Sequence, residues 1–184
     1  MLKQGILHPQ LLRVLGETGH MDHLMVSDSG MPQPLDKERV DLAIVPHLPR
    51  LLDVLAAIRD TLAIEKVFVA EEVKTVSPRY LKKLLAVVEP IGCPVVFIPH
   101  AELKAMSQGD TLRASVRTGE CTSYSTVIIQ AGVPYGGDDL TCTINRLIER
   151  MLPLCCPITS RLPFSSNSAR SPSPKLAPMT FSSR

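Results

Sequence analysis

Between residues 18 and 30 the chain reads TGHMDHLMVSDSG, which sets His20, Asp22, His23 and Asp28 around the apolar run Leu24-Met25-Val26. An imidazole titrates near pH ~6.5, so it can give or take a proton at neutral pH. A carboxylate beside it can orient it or accept hydroxyl hydrogens. The pattern reads as a helix end, a tight turn at Gly19, a buried strand and a polar loop. Loops at strand ends carry chemistry in α/β folds, because the sheet holds their polar groups still. The expectation is that His20, at the strand entrance, and Asp28, at its exit, face one cleft.

Three further stretches supply polar groups. His100 follows an apolar run at residues 95–98, again at a strand end. Residues 117–124, RTGECTSY, add Glu120, Ser123 and Tyr124 around a glycine turn. Glu71-Glu72-Val73-Lys74 ends another strand and reads equally well as a solvated face. Each candidate also has a plain structural reading. His20 would bond a free helix carbonyl, Asp28 would close an Asx-turn, and His100 would neighbour a helix N-cap. A metal site at GHMDH is poorly supported: the cluster spans a turn into a strand, where Asp22 and His23 point to opposite sides. There is no nucleophile elbow, P-loop or GxGxxG, which argues against nucleotide enzymes. His, Asp, His and Tyr together suit proton transfer on a small polar ligand.

The elements that must position these groups follow from periodicity. Residues 9–15 have helical spacing with Pro9 in the first turn, and Gly16 and Gly19 are plausible stops. Residues 51–62 form an amphipathic helix, and residues 78–88 another, with Ser77 as its N-cap. A short helix is expected over 101–106. Strands are expected at 23–26, 40–45, 66–70, 94–98, 114–117 and 126–131, and residues 27–39, with Gly30, Pro32 and Pro34, form a loop. Strands alternating with helices predict a three-layer α/β/α sandwich with a mostly parallel, mixed sheet. The last two strands have no helix between them, so at least one antiparallel pair is expected there.

With 184 residues, 45% of them hydrophobic, the chain can bury a core, and with 4% aromatics and no Trp that core is aliphatic. A net charge of +2 gives no reason to expect nucleic acid or a membrane surface as partner. No apolar run reaches the ~18 residues of a membrane span, and the N-terminus lacks a secretory apolar core, so a cytoplasmic location is expected. The five cysteines, Cys93, Cys121, Cys142, Cys155 and Cys156, are odd in number and form no CxxC. Cys93 and Cys121 read as buried free thiols. After Tyr135 the character changes. Residues 136–139 read as a hinge, 140–152 as an amphipathic helix, and 159–184, rich in Ser, Pro and Arg, as disordered. The tail reads either as an interaction appendage or as the product of an altered reading frame or splicing. The expected organisation is a domain at 1–135 and an extension at 136–184.

With these residues laid out, the chain resembles the D-ribose pyranase / L-fucose mutarotase family. The resemblance runs from about Leu7 to Tyr135 through four ordered blocks: LGETGHMDHLMVSDSGMPQP, VDLAIV, VFVAEEVK and RTGECTSYSTVIIQAGVPY. The DSGMPQP loop and AEEVK look closer to the ribose pyranase branch. The resemblance implies interconversion of cyclic forms of a free monosaccharide, with no metal or organic cofactor. It also implies a ring-shaped homo-oligomer, often a decamer, with active sites near subunit contacts. By motif position His20 would be the catalytic acid, and Asp28, His100 and Tyr124 would hold the sugar. Thr126 stands where that pattern expects an asparagine against the sugar. It keeps a hydroxyl but lacks the amide's paired donor and acceptor. The residues beyond about Gly136 have no counterpart in the family. Three other readings stay open: a mutarotase for L-fucose or another sugar, a sugar-binding oligomer with little activity, and a metal-dependent hydrolase resting on GHMDH alone.

Overall fold

A computed structural model describes residues 2–135. The expected hinge at 136–139, the helix at 140–152, the disorder at 159–184 and three of the cysteines lie outside the described residues. In chain order the elements are α1 (Pro9–Glu17), β1 (His23–Ser27), β2 (Glu38–Asp41), α2 (Leu51–Arg59), β3 (Ile64–Ala70), α3 (Val73–Val76), α4 (Pro78–Val88), β4 (Val95–Ile98), α5 (His100–Met106), β5 (Leu112–Arg117) and β6 (Val127–Ala131).

The six strands form one sheet in the order β2-β5-β1-β6-β3-β4. β6 runs antiparallel to both its neighbours, β1 and β3, and every other pairing is parallel. The expected antiparallel pairing is present, but β5 and β6 do not pair with each other. They flank β1, with Leu24 opposite Ala114 on one side and Ile129 on the other.

Alternation along the central strands makes two apolar layers. Leu24, Val26, Val67, Val69, Val127 and Ile129 face one side, where Leu11, Val14 and Leu15 of α1, Leu55 and Ile58 of α2, and Leu84 of α4 pack on them. Met25, Ala70 and Ile128 face the other, against Leu103 of α5 and Met31. A strand covered on both faces reads as an unbroken apolar run, as Leu24-Met25-Val26 does.

Several boundaries differ from expectation. The apolar stretch 40–45 predicts a strand, yet pairing with β5 ends at Asp41. Beyond it Ile44 is 75% exposed and Val45 53%. These residues form a turn, with Ile44 N–H donating to Leu48 O at 3.0 Å, and the turn rests on Gly119. A Cβ on Gly119 would lie 2.6 Å from Val45 O, so only glycine permits that approach. α1 continues through Gly16 to Glu17, and the chain leaves the helix at Thr18, whose φ of −75° and ψ of 121° are extended. Ser77 occupies the N-cap position of α4, but its hydroxyl does not cap the helix; it donates to Ser123 O at 3.1 Å.

Candidate active site

The groups singled out in the sequence separate into two places. β1 has five residues, so its ends stand roughly 13 Å apart at a rise of about 3.3 Å per residue. Asp28 leaves one end and His20 precedes the other. Within one chain they do not share a cleft: the cavity at Asp28 is lined without His20, with β1 between them. His20 is half exposed, and its Nε2 lies 3.0 Å from Glu65 Oε2 at the start of β3. The rest of GHMDH is dispersed. Asp22 Oδ2 accepts the Gly19 N–H at 2.7 Å. His23 Nδ1 meets Thr111 Oγ1 at 3.0 Å, and burial pushes its imidazole below the ordinary value.

Asp28, His100 and Tyr124 do converge. They line a cavity of about 470 Å³ together with Ser29, Met31, Lys104 and Thr122. The topology explains the meeting. β1 and β4 are parallel to the sheet's main direction, so Asp28 and His100 follow their C-terminal ends. β6 is antiparallel, so the residues that precede it return to the same edge. Outside the C-terminal ends of strands is where open α/β sheets bind ligands.

Asp28 is held by its side chain, and His100 by its backbone. Asp28 Oδ1 accepts the Gly30 N–H at 2.9 Å, which is the expected Asx-turn, and Oδ2 accepts the Thr126 hydroxyl at 2.8 Å. The loop after Asp28 is pinned by Arg117, whose Nε and Nη2 donate to Ser29 O at 3.2 and 3.1 Å. His100 opens α5, and its backbone N–H donates to the Glu72 carboxylate at 3.0 and 3.1 Å. That carboxyl is held below its usual range by its own backbone N–H and that of His100. The tetrad 71–74, which reads equally well as a solvated face, therefore contains the group that caps the site helix. The His100 and Tyr124 rings meet edge-on, with centroids 5.0 Å apart and an interplanar angle of 85°. Tyr124 has φ +59°, a left-handed backbone that a non-glycine residue adopts only under local constraint.

That constraint is visible in the loop before β6. Glu120 is 2% exposed, and its Oε1 accepts from Cys121 N at 3.1 Å, Thr122 N at 3.2 Å and Thr122 Oγ1 at 2.7 Å. His47 Nδ1 stands 3.5 Å away. Burial works to raise this carboxyl, but the donors and His47 prevail and hold it below the usual range. Tyr80, buried under the same loop, donates to Ser125 O at 3.3 Å, and burial drives its phenol far above the ordinary value.

Two placements depart from the sequence reading. Thr126 is 1% exposed and does not line the cavity; it stands behind Asp28. Cys121 is not a buried thiol but an exposed one at the cavity wall, and Cys93 is only partly buried. Lys104 joins the cavity wall from one helical turn beyond His100, a spacing that signals a shared helix face. Among the described residues no three His, Cys, Asp or Glu side chains converge as metal ligands.

Known proteins are similar to this chain in sequence and fold. D-ribose pyranase of Lactobacillus gasseri is 42% identical over 138 residues, covering 73% of this chain and all of the relative. D-ribose pyranase of Glaesserella parasuis is 39% identical over 141 residues, with the same coverage. The structure of Bacillus subtilis RbsD complexed with D-ribose superimposes with a TM-score of 0.67 at 34% identity, over 72% of this chain and 98% of that one. The fucose mutarotase of Streptococcus pneumoniae in complex with L-fucose shares the fold, with a TM-score of 0.59 at 20% identity over 68% and 93% of the two chains. The profile of the RbsD / FucU transport protein family matches residues 1–134, and the chain belongs to that family.

Proposed function

We propose that this protein is an intramolecular isomerase that interconverts cyclic forms of a free monosaccharide, β-pyranose and β-furanose D-ribose. The observation that carries the reading is the cavity where Asp28, His100 and Tyr124 meet, in a chain that matches named D-ribose pyranases over their whole length. The wall mixes acceptors, donors and an aromatic ring, which suits a small ligand bearing hydroxyls on every face. The isomerase unit is residues 1–135, with 136–184 an addition to it. The two described cysteines are free thiols, in keeping with a reducing cytoplasm. Among the described residues no helix is long and apolar enough to cross a membrane.

A cyclic sugar is a hemiacetal. Opening it needs a proton delivered to the ring oxygen and one removed from the anomeric hydroxyl; the open aldehyde recloses through a different hydroxyl. His20 is the proton donor in this reading. Asp28, His100 and Tyr124 hold the sugar by its hydroxyls. Because His20 lies at the far end of β1, the donor comes from a second copy of the chain, so the working unit is a homo-oligomer with sites at its subunit contacts. Exposed Ile44, Val45 and Leu48 lie on the turn next to the cavity loops and provide apolar surface for such a contact. Positioned acids and bases contribute typically ~100- to 10,000-fold, which suits a reaction already measurable in water.

Saturation-transfer exchange between the anomeric signals of ribose tests the reading. The purified chain is expected to accelerate pyranose–furanose exchange of D-ribose, and more than it accelerates exchange of L-fucose. Tight ribose binding with exchange at the uncatalysed rate would leave a sugar-binding protein instead.

A further inference from the structure

We propose that Thr126 is a positioning residue that presets the Asp28 carboxylate for the ligand, without touching the ligand itself. The inference rests on the sugar-isomerase reading of the same cavity. Thr126 immediately precedes β6 and Asp28 immediately follows β1, and these strands are antiparallel neighbours, with Val26 opposite Val127. The register brings residue 126 behind residue 28. The contact is two-way. Thr126 Oγ1 accepts the Asp28 backbone N–H at 3.2 Å and donates to Asp28 Oδ2 at 2.8 Å.

A hydroxyl carries one proton. Because Oγ1 takes the amide hydrogen on a lone pair, its own proton is directed to the carboxylate. Gly30 N–H fixes the other oxygen at 2.9 Å. Each carboxylate oxygen has about two acceptor directions, so one donor apiece leaves the rest of the carboxylate available to the cavity. Thr126 is 1% exposed and β-branched, so its side chain has little rotational freedom to lose. An acceptor held in one orientation before the ligand arrives does not lose that freedom on binding.

Crossed substitutions test this. Thr126→Val keeps the buried shape and removes the hydroxyl; Thr126→Ser keeps the hydroxyl and removes a buried methyl. If Thr126 positions Asp28, the Val variant loses about 10- to 100-fold in kcat/KM for ribose exchange, as expected for a lost hydrogen bond to a charged group. The Ser variant retains most of the rate even where its thermal midpoint falls further. A packing role gives the reverse ranking. Full activity in Thr126→Val, or loss in both variants that tracks their thermal midpoints, overturns the proposal. A crystal structure of Thr126→Val is the second readout. The Asp28 carboxylate is expected to turn away from its present orientation; an unmoved carboxylate overturns the clamp. If the unaltered protein does not accelerate exchange, it is the isomerase reading that fails, and the crystal structure alone decides the clamp.

Discussion

The two ends of the sheet use polar residues in opposite ways. At the end where α1 meets β2 and β5, charges satisfy each other on the surface. Arg13 pairs with Glu17 and Glu38, and Arg113 with Glu17. At the other end, Asp28 is held from behind by the Thr126 hydroxyl and the Gly30 amide, His100 is held through its backbone by Glu72, the loop that carries Tyr124 is braced by buried Glu120, and all three residues line a cavity. Surface pairs of the first kind contribute little, because water screens them and long side chains lose freedom in making them. Buried networks of the second kind matter more, because an unpaired group there has no water to fall back on. The difference teaches where substitutions will be felt. His20 crosses the division: the proposed proton donor is located at the charge-paired end, opposite Glu65.

The largest expected effect is in the cavity. Asp28→Asn and His100→Ala should each lower the rate of ribose exchange roughly 100-fold or more, while far-UV circular dichroism remains that of a folded chain. Near-normal exchange in both would place the sugar site elsewhere. Next is the backbone contact that seats the 45–49 turn against the loop before β6. Gly119→Ala forces that turn away and should destabilise the protein by about 2 kcal/mol or more, read by urea unfolding. An unchanged midpoint would mean the turn is free to shift. Smaller, and dependent on pH, is Glu120. Its carboxyl is held below the usual range in the folded protein, so its contribution is present above the ordinary carboxylate value and is lost as pH falls through the lowered one. Thermal midpoints measured from about pH 6 down to pH 3 should fall more steeply for the unaltered protein than for Glu120→Gln. Parallel curves would remove Glu120 from the loop's support. The smallest effect belongs to the charge-paired end: Arg13→Ala should leave both the thermal midpoint and the exchange rate nearly unchanged. A large drop in either would erase the contrast between the two ends.

Much of this architecture could be read from residue patterns. Pro78 at the first turn and apolar spacing through Val88 delimit α4 as found, and Leu24-Met25-Val26 announces a strand covered on both faces. Patterns failed where tertiary contact overrides local preference. Residues 42–45 are apolar enough for a strand, yet they leave the sheet because Asp41 is the last residue paired with β5. The order β5-β1-β6 was not legible, since nothing local shows that two consecutive strands will straddle a third. The meeting of Asp28, His100 and Tyr124 was legible from their places at strand ends, but the separation of His20 from them was not. Nine residues of sequence suggest that His20 and Asp28 are neighbours, whereas a five-residue strand separates them. Thr126 read as a ligand contact because side-chain type does not reveal that its hydroxyl is already engaged by Asp28. Glu72 stayed open between a site group and a solvated one because its partner, the His100 amide, is 28 residues away.

The account turns on one claim: the site opens a sugar ring with an imidazole from one copy and a binding cavity from another. Co-expression of His20→Ala and Asp28→Asn chains carrying different tags, followed by purification through both tags, yields mixed assemblies for the exchange assay. Each variant alone should exchange ribose at the uncatalysed rate. In an equal mixture about one quarter of the contacts join an intact His20 to an intact Asp28 cavity, so the mixed assemblies should regain a measurable share of the activity. Mixed assemblies that stay as inactive as either parent would contradict the claim.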